Sequence, residues 1–284
     1  MSGRPRFPRD WSWPSGQRVA VTVGVPFEAF INQSQFSYIG VPGKRDNFSL
    51  SYGDYAWKAG IWRLLNLLDE FGVKASMSTN GLAAERHHQI VRMCADEGHE
   101  VNGHGWANDV RAKDATEQAE REDIRRCTEV LEQVTGQRPV GWSSPGSTGS
   151  DHTPTLLREN GYIWHGDDVS DDLPFLEGTA HGPLVILPRQ ALATNDISHW
   201  VQSRNPPSVM WEGFKDTFDT IYAEAQEPGQ GRWIDITLHA HMAGRPTLTP
   251  TIRRMLSYAQ GHEGVFHPRK RDIAEWTLQR LAGT

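Results

Sequence analysis

The chain has 284 residues and a formal net charge of -6, with acids and bases interleaved, and its longest basic cluster, Arg269-Lys270-Arg271, is too short to track a phosphate backbone. No apolar run approaches the roughly 18 to 20 residues that a bilayer crossing needs, and Met1 to Asp10 is basic and proline-rich without the apolar centre of a secretion signal. Nucleic-acid partners, membrane insertion and secretion are disfavoured, a cytoplasmic setting is expected, and Cys94 and Cys127, on helical patterns with no CxxC or HxxC context, are expected as buried thiols.

Residues 1–17 read as an irregular arm. Val19 to Val25 is a continuous β-branched run, the pattern of a strand buried on both faces, and Pro26 ends its ladder. Glu28 follows just past the strand end. Phe30 to Tyr52 mixes glycine, asparagine, serine and aromatics without periodicity and predicts a long surface loop that covers a site. Trp57, Ile61, Leu64, Leu65, Leu68 and Phe71 follow a helical spacing closed by Gly72. Val73 to Thr79 predicts the next strand, Leu82 to Glu97 a helix ended by Gly98, and Glu100 to Gly103 the strand that delivers His104 between two glycines.

The alternation continues. Thr116 to Val134 carries one apolar face and stops at Gly136, and Pro139 to Trp142 is short and β-like. Thr153 and Pro154 open a helix as N-cap and first-turn proline, and Gly161 closes it before Tyr162 to His165. Leu184 to Leu187 and Trp233 to Leu238 supply further strands around a helix at 209–225, and helices at 251–259 and 272–281 flank a short strand at 265–267. Strands alternating with helices predict an α/β fold, a distorted (β/α) barrel of seven or eight parallel strands, organised as one domain over 1–284. No GxGxxG follows the first strand, which removes support for dinucleotide binding.

In such a barrel chemistry sits at the C-terminal strand ends, where Glu28, His104, Ser143, Ser144, Asp167, Asp168 and His239 all fall. His239 and His241 lie on one side of the last long strand if it stays extended. Arg245, between Gly244 and Pro246, is suited to a carboxylate or a planar ureide, and Trp106, Trp142 and Trp164 stand where an indole could stack on a flat ring. Trp106, Asn108, Ser143, Ser144, Asp167, Asp168, His241 and Arg245 are accordingly the candidate substrate-binding residues.

At this point a resemblance becomes specific. An acid after strand one, Gly98-His99-Glu100-Val101 leading to His104-Gly105-Trp106, Gly141-Trp142-Ser143-Ser144-Pro145-Gly146, Asp171-Asp172-Leu173-Pro174, Thr194-Asn195-Asp196, and Leu238-His239 with Gly244-Arg245-Pro246 resemble the polysaccharide deacetylase superfamily, also called NodB-homology or carbohydrate esterase family four. The last three segments are similar to its branch of PuuE-type allantoinases and cyclic imide hydrolases. The resemblance implies a (β/α) barrel, usually a homotetramer, hydrolysing carbon–nitrogen bonds other than peptide bonds. It also implies a metal site of an acid and a His-x-x-x-His pair, matched here by Glu28, His104 and, in place of the second histidine, Asn108. The family's base aspartate falls near Pro26, and its orienting arginine is matched by Ser143.

With base, arginine and one ligand absent, a metal-free site is expected. Glu28, His104 and His239 are its candidate catalytic residues: Glu28 as general base with its pKa lifted toward neutrality, His239 as acid, its tautomer held by a carboxylate among Asp167, Asp168, Asp171 and Asp172. Asp171 and Asp172 fit a turn equally well. The expected reaction is ring opening of a small cyclic amide, imide or ureide, a small-molecule substrate. The alternatives are a deacetylase of N-acetylated sugar or peptidoglycan-type substrates using one divalent ion such as zinc, held by Glu28, His104 and Asn108 or His241, and an inactive barrel that only binds a ligand.

Overall fold

The computed structural model describes residues 10–37, 40–41, 43–190 and 193–281. The strands are β1 (Val19–Gly24), β2 (Ser76–Thr79), β3 (Glu100–Gly103), β4 (Gly141–Trp142), β5 (Trp164–His165), β6 (Phe175–Thr179), β7 (Gly182–Ile186), β8 (Arg232–Thr237) and β9 (Val265–Phe266). The helices are α1 (Asn47–Gly53), α2 (Ile61–Glu70), α3 (Gly81–Arg86), α4 (His88–Asp96), α5 (Glu117–Thr135), α6 (Thr153–Glu159), α7 (Pro207–Glu224), α8 (Thr249–Gln260) and α9 (Lys270–Leu281). A widened π turn, Ala56–Gly60, leads into α2.

The strands make one curled, mostly parallel sheet in the order β6-β7-β5-β4-β3-β2-β1-β8, with β9 added to β1. β1 and β8 pair along their whole length, Val19 opposite Arg232 through Gly24 opposite Thr237, and every residue of either strand is buried. This is the β-branched pattern read above, made continuous by helices covering the outer face. The departure is β6, which runs antiparallel to β7 and was not predicted; Phe175–Thr179 is half exposed along its length, so it lacks the apolar run that marks an inner strand.

The edge strands of the half-barrel are β6 and β8, and residues after β7 bond to β8 with side chains as well as backbone. Gln190 Nε2 donates to the Trp233 carbonyl at 3.3 Å and its Oε1 accepts from Asp235 N at 3.0 Å. Thr194 Oγ1 donates to the Asp235 carbonyl at 2.5 Å, and Thr237 N donates to the Thr194 carbonyl at 2.9 Å.

Local chemistry explains other differences from the pattern. The expected single helix at 82–97 breaks at His87 (φ -129, ψ 39), whose ring stacks on Trp57 at 4.7 Å instead of continuing the turn. The long loop after Phe30 contains α1, nucleated by Asp46, whose Oδ1 accepts from Phe48 N and Ser49 N at 3.1 Å each. Thr153 is the first residue of α6 rather than its cap, and its hydroxyl donates to Glu120. Of the N-terminal arm, 1–9 lie outside the described residues; the rest is tied down, Trp11 bridging Gln230 and Trp13 Nε1 donating to the Arg232 carbonyl at 2.8 Å. Cys94 and Cys127 are free, buried thiols, each pushed up to about 12 chiefly by burial. Among the described residues no helix is long and apolar enough to cross a membrane.

Candidate active site

The C-terminal strand ends open into one cavity of about 1060 Å³, lined among others by Pro26, Glu28, His104, Asn108, Ser143, Ser144, Asp167 and His239. Glu28 is the centre. β1 ends at Gly24, Phe27 makes a last bridge to Thr79, and the chain then turns Glu28 inward at 5% exposure. His104 Nε2 lies 3.3 Å from Glu28 Oε1 and His239 Nε2 lies 3.9 Å from the same oxygen, while Gln35 Nε2 donates to Oε2 at 2.9 Å.

The imidazoles are fixed from behind. His104 Nδ1 is 2.5 Å from the Ser143 carbonyl, which can only accept, so Nδ1 carries a proton and Nε2 faces Glu28. His239 Nδ1 is 2.6 Å from Asp196 Oδ1, and its backbone N–H donates to Asp196 Oδ2 at 2.8 Å. This corrects the expected partner: Asp196, fully buried in Thr194-Asn195-Asp196, holds the tautomer, not the carboxylates at 167–172. Asp167 Oδ2 instead lies 2.9 Å from His165 Nε2 and its Oδ1 accepts from Ser144 N at 2.8 Å. Asp168 binds Ser170 within its own turn, and Asp171 Oδ1 accepts from Leu173 N, the turn role noted above.

Electrostatics follow from this packing. Burial alone would raise the Glu28 carboxyl, but the charge of His239, the His104 hydrogen bond and the charges of His241 and His104 outweigh it and hold the group at about 2. A lift toward neutrality was expected; the surrounding imidazoles reverse it. Burial opposes charge on His239 as well, yet Asp196 and Glu28 raise its pKa above the usual histidine value. His165 and Asp167 show the same logic, burial being overcome by their mutual attraction, with Asp167 held at about 2.

Four candidates lie elsewhere. His241 is fully buried behind Glu28, Nδ1 3.5 Å from Oε2, against Phe30 and Tyr52, and burial lowers it to about 4. The chain leaves the extended form at His239, whose carbonyl accepts from Met242 N and Ala243 N, so the two histidines diverge. Arg245 is sandwiched by the Tyr52 and Tyr55 rings at 4.0 and 4.2 Å, its Nε donating to the His241 carbonyl. The Trp106 ring faces the helices, under the Arg126 guanidinium at 3.2 Å and against Gly81. Asp168 does not line the cavity, and Trp142 and Trp164 are core residues at 3% and 0% exposure. Sequence reasoning quoted Asp196 in a motif without a role; its contact with His239 spans 43 positions and leaves no local signal.

The metal set implied by the resemblance fails on its donors. Glu28 and His104 converge, but the third position is Asn108, whose buried Oδ1 has no hydrogen-bond partner and offers a neutral carboxamide where an imidazole or carboxylate is needed. Among the described residues no three His, Cys, Asp or Glu side chains are disposed to enclose an ion. The residues present do not fit a zinc-type ion.

Comparison with known proteins identifies relatives of this fold. Residues 41–164 match the family model described as polysaccharide deacetylase. The chain is 23% identical to the peptidoglycan deacetylase of Helicobacter pylori over 93% of this chain and 98% of that protein. Its structure superposes on PuuE allantoinase with a TM-score of 0.85 at 26% identity, covering 99% of this chain and 100% of that one. A Pseudomonas aeruginosa PAO1 protein assigned to the polysaccharide deacetylases superposes with a TM-score of 0.84 at 28% identity, covering 96% and 94%. Residues 41–164 thus carry the likeness to the polysaccharide deacetylases, and the deacetylase and allantoinase neighbours together support a hydrolase of carbon–nitrogen bonds other than peptide bonds.

Proposed function

We propose that the chain opens a small cyclic amide, imide or ureide in an allantoinase-like hydrolysis, on a small cytoplasmic substrate. The observation that carries this reading is the shared Glu28 Oε1, with His104 Nε2 on one side and the Asp196-held His239 Nε2 on the other. Pro26, at the position of the family's base, has no group to accept a proton. The loop at 31–37 overhangs Glu28, its amides at Ile31, Asn32 and Gln33 gripped by Asp109, which suits a compact ring better than an extended polymer.

A base and an acid are both available. A carboxyl held at about 2 is a weak base by itself; with His104 in its neutral form, protonated on Nδ1 only, the attacking water gives its proton to Nε2, and the Glu28 anion accepts the hydrogen bond of the imidazolium that forms. Water oxygen bonds to the ring carbonyl carbon, the carbon–nitrogen bond breaks, and His239 Nε2 protonates the leaving nitrogen. Glu28 Oε1, facing both rings, then returns the proton from His104 to His239.

A panel of allantoin, hydantoin, succinimide and chitooligosaccharides, assayed for ring opening and for acetate release, tests the reading. Ring opening is expected. Acetate release alone transfers the assignment to deacetylation, and binding without turnover across the panel transfers it to a ligand-binding barrel.

A further inference from the structure

Apart from the exposed Lys113 and Asp114, most of the charge around the cavity is answered within the protein. Glu28 faces His104 and His239, Asp196 holds His239, Asp167 faces His165, and Lys270 Nζ lies 3.0 Å from Asp235. Asp109 is occupied by three backbone amides. Arg189 is different. It lines the cavity, its Nε is buried without a hydrogen-bond partner, and it forms no ion pair among the described residues, which include every Asp and Glu of the chain.

Its position is built. Arg189 N donates to the Asp168 carbonyl at 3.1 Å, on the same segment that carries Asp196 and bonds β8 through Gln190. Arg189 lines the same cavity as His239, and its charge opposes protonation of that ring. Arg111 also lines the cavity without an ion pair, but its guanidinium is packed over Gly146, where a Cβ would fall 2.3 Å from Nη1. A partly buried guanidinium without a counter-charge is costly unless an anion meets it, and its planar fork matches a carboxylate.

We propose that Arg189 is a specificity-determining residue that receives a carboxylate carried on the substrate, so that the preferred substrates are anionic cyclic amides, imides or ureides. This rests on the ring-opening reading above. A neutral ring of the same size leaves the guanidinium unmet and binds more weakly.

Hydantoin-5-acetate and hydantoin share one ring and differ by a carboxylate, so their kcat/KM ratio reads the proposal directly. The wild-type ratio is expected to favour hydantoin-5-acetate by about thirtyfold, the usual range for a charged hydrogen bond. Arg189→Gln removes the preference through KM with kcat retained, and Arg189→Lys restores part of it. Succinate binding by calorimetry, which needs no turnover, is expected in the wild type and lost in Arg189→Gln. Equal wild-type ratios, a preference that survives Arg189→Gln, or succinate binding independent of Arg189 would each overturn the proposal. Arg189-dependent succinate binding with no ring opened supports the anion site and removes the ring-opening reading alone.

Discussion

The two histidines after β8 differ by two positions and have opposite surroundings. His239 has a buried carboxylate at 2.6 Å and an open face toward Glu28, so its pKa is raised above the usual histidine value. His241 has no hydrogen-bond partner on either nitrogen, aromatic rings from Phe30 and Tyr52 around it, and a pKa lowered to about 4, so it is neutral. Both lie near the same carboxylate; what separates an acid from a packing residue here is the second partner. Proximity to Glu28 by itself is insufficient.

That contrast can be broken in steps. The largest effect is expected from His239→Ala, which removes the proton donor and lowers kcat by about 10³-fold, measured on whichever ring substrate the panel identifies; a loss under tenfold would move the acid role elsewhere. Asp196→Asn keeps the ring but removes its counter-charge, lowering kcat by about 100-fold. Because Asp196 raises the His239 pKa and the acid must be protonated, the alkaline limb of the kcat profile is expected to move to lower pH in this variant. An unmoved limb means that another group titrates there.

Glu28 makes a third test through stability. Its carboxyl titrates at about 2 in the fold against 4.5 ordinarily, so the stability it contributes is complete above 4.5 and lost as pH falls toward 2. Unfolding midpoints across that window should fall less steeply in Glu28→Gln; some slope persists, since Asp167 is depressed in the same way. On the other side of Glu28, His241→Leu is expected to change kcat less than about tenfold, since it replaces a neutral, unbonded ring by an apolar side chain. A loss as large as that of His239→Ala would make His241 part of the chemistry. The smallest effect is expected from metal removal: dialysis against a chelator should leave activity unchanged, and activity abolished by chelation and restored by zinc would reinstate the ion.

The parallel framework was legible because buried strands write themselves as β-branched runs: the expected Val19 to Val25 and Trp233 to Leu238 fall within a residue of β1 and β8. β6 was illegible because a half-exposed edge strand carries no such run. In the site, Glu28, His104 and His239 follow strand ends, and position alone brings them together. The partners of those groups were not readable, since Asp196 meets His239 across 43 residues and Ser143 meets His104 through a carbonyl that every residue type possesses. The misplaced residues share one cause: Arg245, His241 and Trp106 each lie beyond a strand end, where the backbone turns and strand geometry no longer dictates direction.

Gly60, the last residue of the π turn before α2, has a consequence for how the site is tuned. A Cβ there would fall 1.9 Å from the Ala240 carbonyl oxygen, and one at Gly244 would fall 2.3 Å from the Gly60 Cα, so three backbone stretches touch with no side chain between them. The His239 carbonyl is tied into the same loop by Met242 N and Ala243 N. A methyl group added at position 60 must push Ala240 away, and His239 travels with it. The distance between the proton donor and Glu28 is thus set from outside the cavity, by the thickness of a helix entrance, and a lineage could retune the spacing for a larger or smaller ring without altering a single group that meets the substrate.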